Sequence, residues 1–153
     1  ITLLKVRYTD RIMYRNEVDE SVTNVLMPCM ILQPLIENAF IHGISSLESG
    51  GIIILRVKGI DGDVVIEVED NGVGMDREKI RQLLDDTDDD PSDKDTPTGH
   101  TTGIGTKNVI QRLHNYFNTQ DMVRITSKQP GGTKVSIIIP EEKTTVKVEV
   151  LHA

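Results

Sequence analysis

The chain has 153 residues, a formal net charge of −7 at pH 7 and a single cysteine. That length supports one domain with a real hydrophobic core, and the acidic balance, with Lys and Arg only scattered, argues against a nucleic-acid-binding surface. Cys29 alone excludes an internal disulfide and any multi-cysteine metal site; within "VLMPCMIL" it is expected to be a buried core residue of a reducing compartment.

The chain begins at Ile1 without an initiator Met, which suggests a piece of a longer protein. No signal peptide is visible, and the longest apolar stretch, Val25 to Ile36, is short and interrupted by Pro28, Gln33 and Pro34, so no membrane span is expected. "ITLLKVRY" reads as a strand or the end of a helix entering from upstream. "RIMYRNEVD" alternates as a strand ending near Val18. From Pro28 the period changes: Ile31, Leu35 and Ala39 form one i, i+4 row and Leu32, Ile36 and Phe40 another, which predicts a mostly buried helix. Pro34 would cost about 3 kcal/mol in a helix interior, so the regular helix is expected to start or kink near Gln33, with Gly43 closing it.

A hairpin follows, "GIIILRVKG" and "VVIEVED" joined at "IDGD", with Ile66 and Val68 turned inward and Glu67 and Glu69 outward. "MDREKIRQLL" predicts a short helix with Asp76 near its start and Ile80, Leu83 and Leu84 on one face. Residues from about Asp85 to Thr102 carry no apolar period, too long a stretch for an ordinary connection. A second helix runs from Gly103, with Val109, Leu113 and Phe117 inward. "DMVRITSK" and "GTKVSIIIP" form a second hairpin around "QPGG", and the tail "EEKTTVKVEVLHA" leaves strand and disorder both open. Strands paired in hairpins with intervening helices define an α+β domain and exclude the all-parallel sheet of a dinucleotide fold.

Three clusters carry chemistry. In "ENAFIHG", Asn38 and His42 are i, i+4 and share a helix face, with Glu37 about 100° away from Asn38; polar side chains on so apolar a helix need partners. In "DNGVGMD", Asp70 ends a strand, and Gly72 and Gly74 permit a sharp turn and the approach of a flat ligand to the backbone. In "GIGTKN", Gly103 and Gly105 expose amide donors at the positive end of a helix. This last stretch is no Walker loop, since Lys107 is followed by Asn108 and the glycine spacing fails; it is no dinucleotide loop either, since Asn108 stands where the third glycine belongs. The acidic run "DDTDDDPSDKD" holds seven Asp between Asp85 and Asp95. It fails as a calcium loop, with Pro91 and Pro97 at the positions for the invariant Gly and the bidentate Glu, and reads as a solvated segment.

Together, "LQPLIENAFIHG", "DNGVGM" and "GIGTKNVIQRL" resemble the N, G1 and G2 boxes of the ATP-binding catalytic domain of bacterial sensor histidine kinases. The likeness is to the LytS- and YesM-like subfamily, within the Bergerat (GHKL) ATPases that include gyrase and the heat-shock chaperone ATPases. It runs from about Arg7 to Pro140. It implies a two-layer α/β sandwich, a mixed and mostly antiparallel sheet covered by helices on one face, with a mobile ATP lid at about 85–103. Residues 1–10 would end a linker from a missing dimerisation and phosphoacceptor domain, 11–140 would form the catalytic domain, and 141–153 a C-terminal tail. By the same resemblance Asn38 would hold the Mg²⁺ that bridges the ATP phosphates. Asp70 would accept a hydrogen bond from the adenine amine, with Gly72 and Gly74 shaping the adenine wall and Thr133 supporting that network. Gly103 and Gly105 would let the lid close on the phosphates, with Asn108 on the following helix and His42 and Lys107 as phosphate neighbours.

Four departures bear on mechanism. Ile41 stands where relatives often carry a basic residue, which leaves one phosphate contact either absent or supplied by Lys107, and Thr106 replaces a usually apolar residue. The phosphoacceptor histidine of the family lies in an upstream domain, and His42, His100, His114 and His152 have no such context. A Glu four residues before the Mg²⁺-binding Asn, used by serine kinases of the anti-sigma-factor type and by the ATPases to activate a hydroxyl or water, is Pro34 here, with Glu37 a candidate to reach in from beside Asn38. Imidazole, with a side-chain pKa of about 6.5, needs less help from a base. The expected function is therefore transfer of the ATP γ-phosphoryl group to a histidine of a separate dimerisation domain of the same protein, for relay to a response regulator. The setting would be the cytoplasmic part of a membrane-anchored, homodimeric bacterial sensor. A serine kinase of the same fold and a non-catalytic nucleotide-binding module are the alternatives.

Overall fold

The computed structural model describes residues 12–22, 25–84 and 104–144. The expectations placed on 1–11, on the acidic segment with Gly103, and on the tail beyond Thr144 fall outside the described residues.

Five strands form one sheet: β1 (Ile12–Val18), β2 (Gly51–Ile60), β3 (Asp63–Asp70), β4 (Val123–Lys128) and β5 (Gly132–Ile139), in the order β1-β2-β3-β5-β4. Only β1 and β2 are parallel; the other three pairings are antiparallel. A parallel pair cannot be joined by a tight turn and needs a crossover, and that crossover carries helix α1 (Leu32–Asn38) with its π-helical continuation Ala39–Ile44. The β2–β3 hairpin turns at Asp61 and Gly62, both with positive φ (53° and 92°), the geometry that Asp-Gly is suited to adopt. Helix α2 (Arg77–Leu84) follows β3, and α3 (Ile104–Phe117) precedes β4. A last helical turn, α4 (Glu141–Thr144), follows Pro140.

The core lies between one sheet face and the helices. Ile53 and Leu55 of β2, Ile66 and Val68 of β3, and Ile137 and Ile139 of β5 meet Leu35 and Ile36 of α1 and Val109, Leu113 and Phe117 of α3 in one buried cluster. Period-2 strands facing period-3.6 helices are what the apolar spacing demanded. The opposite face is charged: Arg56 bridges Glu17 at 2.8 Å and pairs with Glu69, while Glu67 takes Lys58 at 3.5 Å and Lys134 at 3.4 Å.

Local details depart from expectation for identifiable reasons. Pro34 sits inside α1, but in its first turn, where backbone N–H groups have no intrahelical acceptor to lose. Gly43 does not close the helix, which runs through it to Ile44. Glu67, though turned away from the core, is buried because two lysines flank it. Leu84 is exposed while Leu83 takes the core position. Cys29 is exposed rather than buried, in the turn before α1, and its carbonyl accepts a 3.0 Å hydrogen bond from Arg112 Nη1 of α3. The residues after Pro140 begin as a helical turn, with the Glu141 amide donating to Asp63 Oδ1 at 3.1 Å.

Candidate functional site

Between α1, α2, the first turn of α3 and the ends of β3, β4 and β5 opens a cavity. Its walls are largely apolar, with Leu35, Ala39, Val68, Met75, Leu83, Ile125 and Val135, and its polar groups are few: Asn38, His42, Asp70, Lys79, Thr106 and Thr133. That combination suits a flat, mostly apolar ligand oriented by a handful of hydrogen bonds.

Asp70 is the most enclosed ionisable group among them, only 7% exposed. Oδ1 accepts the Gly72 amide at 2.8 Å. Burial pushes the carboxyl above the ordinary carboxylate value, and the backbone amides of Gly72 and Thr133 pull in the other direction. The space around it exists because three neighbours lack side chains. A Cβ on Gly43 would lie 2.6 Å from Asp70 Oδ1, one on Gly72 would collide with the Gly43 carbonyl, and one on Gly132 (φ 91°) would collide with the Asp70 carbonyl.

A hydroxyl pair fixes the turn after β3. Ser127 Oγ donates to the Gly132 carbonyl at 2.8 Å and accepts the Met75 amide at 2.7 Å, and it lies 3.0 Å from Thr133 Oγ1. A serine hydroxyl has one proton. With that proton on Gly132, Thr133 donates to Ser127 and keeps its lone pairs for the cavity, so Asp70 and Thr133 both present acceptors there.

At the other end of the cavity, Asn38 Nδ2 donates to Thr106 Oγ1 at 2.9 Å, tying α1 to the first turn of α3. This orients the amide and leaves Oδ1 without a hydrogen-bond donor among the described residues. Gly105 lies against the same side chain; a Cβ there would sit 3.3 Å from Asn38 Nδ2.

Of the residues singled out from the sequence, Asn38, His42, Asp70, Gly74 and Thr133 line one cavity, with Gly72 and Gly105 directly behind Asp70 and Asn38. Glu37 does not join them: it is exposed and accepts Gln33 Nε2 at 2.8 Å on the solvent side of α1. Asn108 is exposed on α3, Lys107 is half-buried but outside the cavity wall, and Gly103 lies outside the described residues. Ser127, Gly132 and Lys79 escaped the sequence reading, Gly43 entered it only as a helix end and Thr106 only as a departure. Lys79 was within reach of it, because Met75, Lys79 and Leu83 form an i, i+4 row along which all three line the cavity.

The fold is that of histidine kinase catalytic domains. The mycobacterial sensor histidine kinase MprB superposes with a TM-score of 0.58 at 17% identity, covering 91% of this chain and 87% of that one. The histidine kinase domain of the Erythrobacter litoralis EL346 blue-light activated kinase gives 0.56 at 20% identity, covering 87% and 53%. Residues 24–143 match the histidine kinase-, DNA gyrase B- and HSP90-like ATPase family, and the chain belongs to it. In sequence it is 37% identical to the uncharacterised protein YwpD of Bacillus subtilis over 146 residues, 95% of this chain and 47% of that protein. It is 31% identical to the B. subtilis sensor histidine kinase YesM over 140 residues, 92% of this chain and 22% of that kinase. The sensor protein LytS of Bacillus cereus is 26% identical over 151 residues, 96% of this chain and 24% of that protein. The chain thus spans about half the length of the first relative and under a quarter of YesM and LytS. No helix among the described residues is long and apolar enough to cross a membrane.

Proposed function

We propose that the chain binds Mg·ATP as the catalytic domain of a two-component sensor histidine kinase and passes the γ-phosphoryl group to a histidine of a separate dimerisation domain of the same protein, for relay to a response regulator. The observation that carries this reading is the buried Asp70 carboxylate beside the Thr133 hydroxyl in an otherwise apolar cavity. Two acceptors between apolar walls match an exocyclic amine on a planar base, as adenine offers. Gly72 and Gly74 hold the turn that forms one wall. Asn38 fits a role toward Mg²⁺: its Oδ1 is directed by the bond to Thr106, and one neutral oxygen suits a hard cation whose remaining ligands are phosphates and water. When bound, Mg²⁺ supplies charge neutralisation on the phosphates.

The protein's own part is positioning and exclusion of water. Asn38 and Thr106 fix the approach of α3 to α1, Gly105 leaves room for that approach, and Gly103 with residues 85–103 would serve as the lid. His42, on the cavity wall, is a phosphate neighbour in this reading. Pro34 supports a nitrogen nucleophile over a hydroxyl: it occupies the position of an activating Glu, and its Cβ would lie 3.6 Å from a Cβ on Gly105, an apolar contact in place of a base. Glu37, turned to solvent, does not replace it. Residues 11–140 would constitute the domain, 1–10 the end of a linker and 141–153 a tail. The whole protein would be a homodimeric, membrane-anchored sensor with this part in the cytoplasm.

Single-turnover transfer of labelled phosphate from ATP to a supplied phosphoacceptor domain is the deciding experiment. Phosphohistidine on that domain is the expected product. Tight ATP binding without transfer would replace the kinase by a nucleotide-reporting module, and an acid-stable phosphoserine would point to the serine-kinase branch of the fold.

A further inference from the structure

Among the described residues, Lys79 is the one Lys or Arg on the cavity wall. Three cations of the central strands are engaged on the opposite sheet face: Lys58 and Lys134 with Glu67, Arg56 with Glu17 and Glu69. Lys79 makes no ion pair with another described residue, and it is half-buried. Its root is fixed, because its amide donates to Asp76 Oδ1 at 2.7 Å in the N-cap of α2. Met75 and Leu83, four residues either side, line the cavity with it, apolar neighbours that suit the aliphatic stem of a lysine.

An anion entering this cavity meets an unfavourable field. The protein carries −7 overall, and seven Asp lie between Asp85 and Asp95, directly after α2. Ile41 is 45% exposed and carries no charge, and Lys107 does not reach the wall. We infer that Lys79 is the cation that selects nucleoside polyphosphates over nucleosides at this site, pairing with the phosphate chain; this rests on the nucleotide reading above.

The test is calorimetric titration of the full chain, wild type, Lys79→Gln and Lys79→Arg, with ATP, ADP and adenosine at two salt concentrations. Lys79→Gln is expected to weaken ATP and ADP by about tenfold, the scale of one charge-assisted hydrogen bond, and to flatten the salt dependence, while adenosine affinity stays unchanged. Lys79→Arg is expected to recover most of the loss, since it restores the charge. Equal losses for adenosine would mean that only the stem matters, and unchanged ATP affinity would place the phosphates elsewhere; either overturns the assignment of Lys79. Wild-type protein that binds none of the three would instead overturn the nucleotide reading, and this inference with it.

Discussion

Gly43 and Asp70 are in close contact across the elements that build the cavity: a Cβ on Gly43 would stand 2.6 Å from Asp70 Oδ1 and 2.7 Å from its carboxyl carbon. Gly43 therefore provides room for the Asp70 carboxylate rather than terminating the helix. Gly43→Ala must push the carboxylate out of its place or shift the π-helical turn. Overpacking of this kind costs about 1–3 kcal/mol. The variant is expected to remain folded, to unfold at lower urea, and to lose at least tenfold in ATP affinity. Wild-type affinity in a folded Gly43→Ala protein would show that the position of the Asp70 carboxylate does not set binding.

The buried carboxyl also predicts a pH dependence. Burial raises the pKa of Asp70 in the folded chain above the ordinary 3.8. Between those two values the folded state holds a proton that the unfolded state has released, so the stability contributed by Asp70 falls as pH rises through that window and levels off above it. Asp70→Asn removes the titration. Its stability relative to wild type is expected to increase from below 3.8 upward and then stay level, as read by urea denaturation across pH. The amide should abolish most ATP binding, because its NH₂ group can face the adenine amine while its oxygen stays with Gly72. Normal ATP binding by Asp70→Asn would refute the adenine assignment.

The bond between Asn38 and Thr106 predicts a divalent-ion effect. Thr106→Val keeps the shape and removes the acceptor at 2.9 Å, a loss of about 1 kcal/mol. The freed amide would no longer hold Oδ1 in one direction. Titration of ATP with and without Mg²⁺ is expected to show a several-fold smaller gain from Mg²⁺ in Thr106→Val and almost none in Asn38→Ala. An undiminished Mg²⁺ effect in Asn38→Ala would remove this side chain from the metal site.

Much of this was legible in the chain. Apolar periods located both hairpins and the two longer helices, because side chains facing one core must repeat at 2 or 3.6. The motifs also located Asn38, Asp70 and Thr133, which the fold brings to one cavity. What periodicity could not supply was contact between segments far apart in sequence. Gly43 reads as a helix end until Asp70 is known to lie against it, and Thr106 reads as a misfit until Asn38 is seen to need an acceptor. The Cys29 reading failed for a similar reason: an apolar neighbourhood in sequence does not say which side of a turn faces out. The thiol, exposed in the folded chain, is expected to react with an aromatic disulfide reagent under native conditions at a rate near that in denaturant. Protection by a hundredfold or more would restore the buried assignment.

Glu67 gives the last prediction, because it separates a buried charge from a surface one on the same sheet face. Its side chain is 11% exposed and shared between Lys58 and Lys134, whose side chains are 44% and 40% exposed. Glu69 accepts from Arg56 and is itself 41% exposed. Water screens a pair like the second, so Glu69→Gln should change stability by less than about 1 kcal/mol. Glu67→Gln leaves two lysines facing each other across β3 without their common counter-charge. They can swing toward solvent, which limits the loss to about 1–2 kcal/mol instead of the larger value for fully buried pairs. Urea denaturation of both variants, repeated at high salt, is expected to find Glu67→Gln the more destabilised and the less altered by salt. Equal effects would mean that the flanking lysines do not enclose Glu67 in solution.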